Sequence, residues 1–188
     1  MQTKKIILLI VEGPSEENAL GPILRKIISN DNIRFKVTET DLTSIPDSID
    51  VNNIESVLAK RVRSFLGNTF RVTDLKEIIH LVDTDGAFVD DSVVIEKENG
   101  KIKYTDSSIE TAHKEKVEKR NKSKSEILKH LSSLSKLKIL NNKFVPYQIY
   151  FMSCNLDHVL YNIRHLPSNK KIDKATEFND SYYGKEIE

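Results

Sequence analysis

The sequence predicts an α/β fold: a mostly parallel, four-stranded sheet flanked by helices, with a β-hairpin insertion. Short apolar runs of strand length alternate along the chain with segments of helical periodicity. This alternation is typical of parallel strands joined by right-handed helical crossovers. The runs at 6–11 and 78–82 are apolar almost throughout, as expected for central strands that are covered on both faces. Asn99 and Gly100 lie between two strand-like segments, which indicates a hairpin.

The first half of the chain predicts two strands and two helices. After the strand at 6–11, Ser15 is placed to cap a helix, which Gly21 and Pro22 are expected to interrupt. Apolar and polar residues alternate at 33–37, as in a half-buried strand near a sheet edge. A second helix follows, with a stripe formed by Ile54, Val57, Leu58, Val62 and Phe65, and is expected to end near Gly67.

The second half adds the hairpin and the remaining strands. After the third strand at 78–82, we expect the hairpin insertion at about 92–105. Residues 107–140 then predict a long helical segment, either one helix or two, because a helical stripe runs through its second half. The apolar run at 145–152 is the predicted fourth strand.

The C-terminal part predicts a short helix at 156–166 and then a polar tail. Residues 167–188 carry little apolar pattern. The chain of 188 residues suits one domain. We therefore expect a single domain at 1–166, followed by a polar C-terminal tail at 167–188.

The composition narrows the class of protein. The net charge is +1, so nucleic-acid affinity would have to come from a local basic patch. Cys154 is the only cysteine, which excludes an intrachain disulfide and favours a reducing cytoplasm. No apolar run approaches the ~18–20 residues of a membrane span, so no membrane association is expected.

Acidic motifs follow two of the predicted buried strands. Glu12 comes directly after the first strand, and Asp83 and Asp85 come at the end of the third. The C-terminal ends of neighbouring parallel strands meet at one crevice, where these carboxylates would repel one another. Glu16, four residues after Glu12, is placed to point into the same crevice. A divalent cation that prefers oxygen ligands, Mg²⁺ or Mn²⁺, would relieve the repulsion.

A metal in such a site suits phosphoryl chemistry. It would polarise a phosphoryl oxygen and activate water, while Glu12 would act as a ligand or as the general acid or base. The alternative is structural, because Asp83 and Asp85 are also residue types that hydrogen-bond turn amides. The occurrence of acidic motifs at two strand ends favours the functional interpretation.

The motifs resemble the Toprim domain, a Rossmann-like domain that topoisomerases, primases and the OLD and RloB-like nucleases share. The resemblance rests on VEGPSE at 11–16 and LVDTD at 81–85. It implies that Glu12, Asp83 and Asp85 are catalytic and that they bind metal together with Glu16. The spacing of Glu12 and Glu16 in this motif is closer to that of the nuclease branch. Ala87 stands where topoisomerase-type members carry a third aspartate, which argues against a topoisomerase.

A third segment is similar to the RloB-like pattern. It is FMSCNLDH at 151–158, after the fourth predicted strand. The pattern's glutamate corresponds to Asp157 here, and its proline is absent. Asp157 is therefore either a ligand for a second metal ion, as the resemblance implies, or a helix cap.

The resemblance implies a metal-dependent nuclease that hydrolyses phosphodiesters of DNA or RNA. It further implies a role in bacterial antiphage defence and, in some systems, an ATPase partner. The sequence is also compatible with a homo-oligomer. One alternative is a phosphatase of the HAD type, from DTDG at 83–86, with Asp83 as nucleophile. Another is a non-catalytic module that binds metal and nucleic acid, or senses a trigger, and works with a partner protein.

A basic segment at 114–124 has two interpretations. Six of its eleven residues are basic: Lys114, Lys116, Lys119, Arg120, Lys122 and Lys124. They would either contact a phosphate backbone or form a solvated helix face with Glu115 and Glu118 as partners. No aromatic residues interleave to stack bases, which favours the solvated face. Of the histidines, His80 is expected to be packed within its strand, and His158 is a weaker candidate for the site.

Overall fold

The computed structural model describes residues 5–28, 33–39, 48–98, 100–182 and 185. Its main sheet has five strands in the order β2-β1-β3-β8-β7. These are β1 (Lys5–Val11), β2 (Ile33–Glu39), β3 (Leu75–Asp83), β7 (Lys136–Leu140) and β8 (Lys143–Met152). The first four strands in this order are parallel, as predicted, and β7 runs antiparallel to β8. The α/β class is confirmed, but the sheet is mixed and has one strand more than expected.

Helices cover both faces of the sheet. The helices are α1 (Pro14–Ile28), α2 (Ile54–Leu66), α3 (Lys114–Ser132), α4 (Leu156–Tyr161) and α5 (Ser168–Ser181). Alternate residues of β1 pack on opposite sides: Leu8 lies in the larger core with α2 and α3, and Leu9 lies in a second core beside α1. The continuous apolar sequence of β1 therefore reflects a strand that is buried on both faces.

The strand order places a switch point between β1 and β3. From β1 the chain crosses to β2 on one side, and it then returns to β3 on the other side. In open α/β sheets, ligands bind outside the carboxyl ends of the strands at such a point. The end of β1 and the end of β3 are where the sequence places the acidic motifs.

The helix α1 continues through Pro22 and is not interrupted there. A proline cannot donate a hydrogen bond to the carbonyl four residues earlier, which here belongs to Asn18. The side-chain amide of Asn179, on α5, donates to that Asn18 carbonyl instead. The expected break is thus replaced by a contact between two helices.

The predicted hairpin at 92–105 is wrong in its pairing. The insertion is a small sheet of β4 (Val94–Glu96), β5 (Lys103–Tyr104) and β6 (Ile109–Thr111), in the order β4-β6-β5. The two expected hairpin strands each pair with β6 and not with each other. The central position of β6 buries Val94 and Ile109 against Val117 of α3, which gives the insertion its own core.

The predicted helical segment at 107–140 contains two strands as well as a helix. The helix α3 ends at Ser132, and β7 then pairs with β8 through a turn at Asn141, which has a φ of 42°. Leu137 and Ile139 alternate with exposed lysines, so the apolar pattern changes here from helical to strand period. The stripe therefore continues across a change of element.

The predicted polar tail at 167–188 is also wrong over the length of α5. This helix packs against α1, with Ala175 and Phe178 in a cluster with Ala19 and Leu156. Ala175 is the one residue of α5 that the structure describes as buried, and most of the other residues of the helix are polar. The segment therefore has the composition of a polar tail although it is a packed helix. The preceding short helix, expected at 156–166, ends at Tyr161.

Candidate functional site

The acidic residues at the two strand ends lie around one buried ammonium group. The Nζ atom of Lys124 is 2.7 Å from Oδ2 of Asp85 and 3.5 Å from Oε1 of Glu12. Lys124 itself is 0% exposed, on the inner side of α3. The positive charge that the sequence suggests between these carboxylates is therefore supplied by a lysine in this structure.

The buried lysine is held in its charged form by its partners. Burial alone would lower the pKa of Lys124, but the Glu12 and Asp85 carboxylates outweigh that effect and raise it. A buried ion pair of this kind costs much desolvation, and removing one partner leaves an uncompensated charge. Lys124 thus fixes the positions of both acids while no other cation is bound.

Asp83 lies in the most crowded part of the acidic site. Its Oδ1 atom accepts a 3.0 Å hydrogen bond from the backbone N–H of Leu156, the first residue of α4. Burial is the largest effect on its pKa, which is raised to about 8, and the carboxylates of Glu12, Asp85 and Glu16 raise it further in that direction. These effects outweigh the Lys124 ammonium, which lowers the pKa, so Asp83 is mostly protonated at neutral pH.

A second lysine neutralises the other side of the site. Asp157 is 4% exposed, and its Oδ2 atom is 2.9 Å from Nζ of Lys171 on α5. Burial would lower the pKa of Lys171, but Asp157, followed by Glu16 and Asp83, raises it. Asp157 does not cap α4, because Asn155 is the N-cap and its side chain accepts from the N–H of His158.

Glu16 lies beside this second group, on the first turn of α1. Its side chain is 9% exposed, and the hydroxyl of Ser15 lies 3.1 Å from both carboxylate oxygens. The five predicted site residues, Glu12, Glu16, Asp83, Asp85 and Asp157, thus gather at one edge of the sheet. Lys124 neutralises one side of this group and Lys171 the other.

The donor set fits a hard divalent cation, although the geometry is not that of a formed metal site. Within the described ranges, no three His, Cys, Asp or Glu side chains are arranged to hold a metal ion. Carboxylate oxygens are the ligands that Mg²⁺ and Mn²⁺ prefer, and after burial the neighbouring carboxylates are the next largest cause of the raised pKa of Asp83. For an ion to bind here, the side chains of Glu12 and Asp85 would have to rotate away from Lys124.

The turn after β3 is fixed by hydrogen bonds to the end of β8. The hydroxyl of Thr84 donates to the carbonyl of Met152 and accepts from the N–H of Cys154. The N–H of Asp85 donates to the carbonyl of Cys154, and Asp85 has a φ of 48°. These bonds hold the Asp85 carboxylate toward Lys124.

Gly86 allows α3 to approach this turn. A Cβ atom at Gly86 would lie 2.4 Å from Nδ2 of Asn121, which is 3% exposed. This Nδ2 atom has no hydrogen-bond partner among the residues that the structure describes. The close approach brings Lys124, one turn further along α3, to the carboxylates.

We expect Gly86→Ala to destabilise the protein by about 1–3 kcal/mol, because the added methyl group overlaps a buried side chain. Urea denaturation of the purified variant measures this change. Asn121→Ala removes the atom that clashes, so the double variant should recover most of the lost stability. Equal destabilisation in the single and double variants would contradict the packing explanation.

Lys124 and Lys171 are the site residues that sequence reasoning missed. The other basic residues of the segment are exposed or half-buried, as either interpretation of the segment requires, whereas Lys124 is buried, which neither interpretation predicts. A signal was present, because Val117, Lys124 and Leu131 recur at a spacing of seven, on the buried side of α3. Lys171 lies in the segment that was expected to be a tail.

His80 and Cys154 lie near the site, and burial shifts the pKa of each. His80 is fully buried, with Nδ1 2.8 Å from the hydroxyl of Tyr147, which confirms the packed interpretation. Burial, with a smaller effect of Lys124, lowers the pKa of His80 to about 3, so the ring is neutral. Cys154 is half-buried, and burial followed by the Asp85 and Asp83 charges raises the pKa of its thiol to about 11.

The comparisons with known proteins return no relative. No protein-family model matches the chain, and no curated protein and no solved structure gives a significant match. In the parts of the chain that the structure describes, no helix combines the length and the apolar character needed to cross a membrane.

Proposed function

We propose that the protein is a metal-dependent nuclease with a Toprim-like site, which hydrolyses phosphodiesters of DNA or RNA. The observation that carries this proposal is the crowding of carboxylates around Asp83, whose pKa is raised to about 8. Crowded carboxylates are typical of sites that bind a cation or a reacting group, and perturbed pKa values cluster at functional sites. The site also lies at the switch point of the sheet.

Each residue has a role in this proposal. Glu12, Glu16, Asp83 and Asp85 would hold Mg²⁺ or Mn²⁺, and Asp157 would supply a ligand for a second ion. The bound metal would polarise the phosphoryl oxygen and activate the attacking water. Glu12 serves as the general acid or base. Lys124, released from the carboxylates, neutralises charge on the phosphate.

The test is cleavage by the purified chain. Plasmid, single-stranded DNA and tRNA are incubated with it in Mg²⁺ or Mn²⁺, and products are resolved on gels. Cleavage should require the metal and fall at least about 100-fold in Glu12→Gln, because a ligand or proton-transfer group is lost. Glu96→Gln, an exposed glutamate of the insertion, is the matched control and should retain wild-type cleavage.

Persistent cleavage in folded Glu12→Gln protein would contradict the assignment of the site. Circular dichroism of each variant establishes that it is folded. Loss of cleavage in both Glu12→Gln and Glu96→Gln would also count against the assignment, because the effect would then be unrelated to the strand ends.

A second candidate is a non-catalytic module that binds metal and nucleic acid and works with a partner, such as an ATPase. The favouring observation is that two lysines already pair with Glu12, Asp85 and Asp157 without a metal. Metal binding in calorimetry without cleavage of any substrate would support this candidate. For either function we propose a cytoplasmic protein of antiphage defence, with a homo-oligomer compatible with both.

A further inference from the structure

A cavity of about 600 Å³ opens beside the acidic site. It lies between the end of the main sheet and the inserted small sheet, and Asp85 forms part of its wall. Its size is within the range of pockets that hold small ligands, about 300–1,000 Å³. The acidic site accounts for one wall only, so the other walls need their own explanation.

Two phenylalanines line this cavity with their rings exposed. Phe88 is 51% exposed and Phe151 is 42% exposed, and their ring centroids are 6.3 Å apart with an interplanar angle of 80°. Large exposed aromatic residues grouped at a concave site are typical of binding surfaces. Neither ring contributes to the buried clusters that hold the domain together.

Phe88 is held in its position by specific contacts. It has a φ of 68°, a conformation that a bulky residue rarely adopts, and its N–H donates to the hydroxyl of Ser125 at 2.9 Å. The ammonium of Lys129 lies 5.9 Å from the ring centroid. The backbone of Phe88 is therefore held by α3, and a positive charge lies beside the exposed ring.

The opposite walls carry basic and hydroxyl groups. Arg164 pairs with Asp106 of the β5–β6 loop, so the two side chains join the insertion to the segment after α4. His158 lies on the same side, with Nδ1 3.3 Å from the carbonyl of Ser153. Asp106 is 86% exposed, so its ion pair with Arg164 is weak and can be replaced by a phosphate, which an arginine binds in two-point fashion.

We propose that this cavity binds one unpaired nucleotide of a single-stranded nucleic acid. The base lies against Phe88 and Phe151, and a flanking phosphate binds Arg164, which brings the next phosphodiester to the acidic site at Asp85. A base in a duplex is paired and stacked and cannot present its face to a side chain, whereas single-strand binding proteins stack bases on aromatic rings. This inference rests on the proposed nuclease function and specifies its substrate class.

The experiment measures binding separately from cleavage. Fluorescence anisotropy follows a labelled single-stranded oligonucleotide, with Ca²⁺ in place of Mg²⁺, and a gel establishes that the strand remains intact. Phe88→Leu and Phe151→Leu keep the apolar area but remove the aromatic face. Each should weaken binding about 10-fold, since one stacked base contributes on that scale.

Phe144→Leu is the matched control. Phe144 is a 49% exposed ring on β8, the strand that carries Phe151, and Lys136 lies over it as Lys129 lies over Phe88. It does not line the cavity, so its substitution should change binding less than about 2-fold. A duplex of the same sequence should bind at least about 10-fold more weakly than the single strand.

Several results would overturn the inference. They are undetectable single-strand binding, equal affinity for the duplex, equal losses in the control and cavity variants, and a free nucleoside monophosphate that binds as tightly as the strand. The outcome is separable from that of the nuclease proposal. Cavity-dependent binding without cleavage keeps this inference and ends the nuclease one, and duplex cleavage that is unaffected by Phe151→Leu does the reverse.

Discussion

Lys124→Met is expected to lower the free energy of unfolding of the metal-free protein by about 3 kcal/mol. The methionine side chain fills nearly the same volume but leaves Glu12 and Asp85 without their shared ammonium group. Breaking a buried ion pair by removing one partner typically costs about 3–5 kcal/mol. The carboxylates keep some contact with water, with exposures of 13% and 18%, which places the expected cost at the lower end. Urea denaturation in EDTA measures it.

Divalent metal should then stabilise the Lys124→Met protein more than it stabilises the wild type. In the wild type an ion must compete with the ammonium, whereas in the variant the carboxylates are already free of it. The metal-dependent gain follows the ratio of the metal concentration to the dissociation constant. Lys122→Met, an exposed lysine on the same helix, is the matched control and should change neither quantity appreciably.

Two outcomes of this experiment would contradict the proposed roles of Lys124 and the carboxylates. If Mn²⁺ stabilises both proteins equally, the ion binds away from the carboxylates that Lys124 contacts. If Lys124→Met is as stable as the wild type in EDTA at neutral pH, the ion pairs contribute nothing to the fold.

The parts of the fold that the sequence predicts are those whose local pattern and final environment agree. The apolar run of β1 and the acid after it reflect a strand buried on both faces and ending at a crevice. β3 also ends in an acid, but Ile79 and Leu81 on its second face are only half-buried. Leu137 and Ile139 were assigned to a helix because a stripe of leucines passes from α3 into β7 with little change in composition. Periodicity alone does not mark such a boundary.

The missed site residues are missed for a different reason. The burial of Lys124 depends on carboxylates that are 39 and 112 residues away in the chain. No local sequence pattern identifies partners so far away in the chain. The only local indication is that Lys124 occupies a position on the buried side of α3. Lys171 depends on the packing of α5 against α1, which a largely polar helix achieves with the small residues Ala19 and Ala175. Long-range charge compensation is therefore where sequence reasoning fails for this site.

The metal-free protein is expected to lose stability as the pH rises from 6.5 to about 8. The pKa of Asp83 is about 8 in the folded protein and 3.8 as its ordinary value, so the folded state binds the proton more tightly. Stability that depends on this proton is present at low pH and is lost as the pH rises through the folded pKa. The slope has an upper limit of about 1.4 kcal/mol per pH unit for one group.

His80 sets the lower limit of the window in which Asp83 can be observed. Its pKa falls from 6.5 to about 3 on folding. Between these two pH values the histidine binds a proton in the unfolded chain but not in the folded protein. This effect makes stability fall as the pH drops from 6.5 towards 3, opposite in direction to the effect of Asp83. The unfolded histidine is half protonated at pH 6.5 and almost neutral above about pH 7.5, where the trend due to Asp83 is isolated.

Urea denaturation in EDTA across pH 6.5 to 8.5, for the wild type and for Asp83→Asn, tests this expectation. The asparagine keeps an oxygen that accepts the N–H of Leu156 and cannot ionise, so its stability should be nearly independent of pH and should exceed that of the wild type at pH 8.5. Mn²⁺ should reverse the trend in the wild type, because the metal binds the ionised carboxylate and replaces its proton. A wild-type stability that rises with pH in EDTA would mean that Asp83 is ionised without a metal, and the crowding of charges at the ends of β1 and β3 would no longer require a cation.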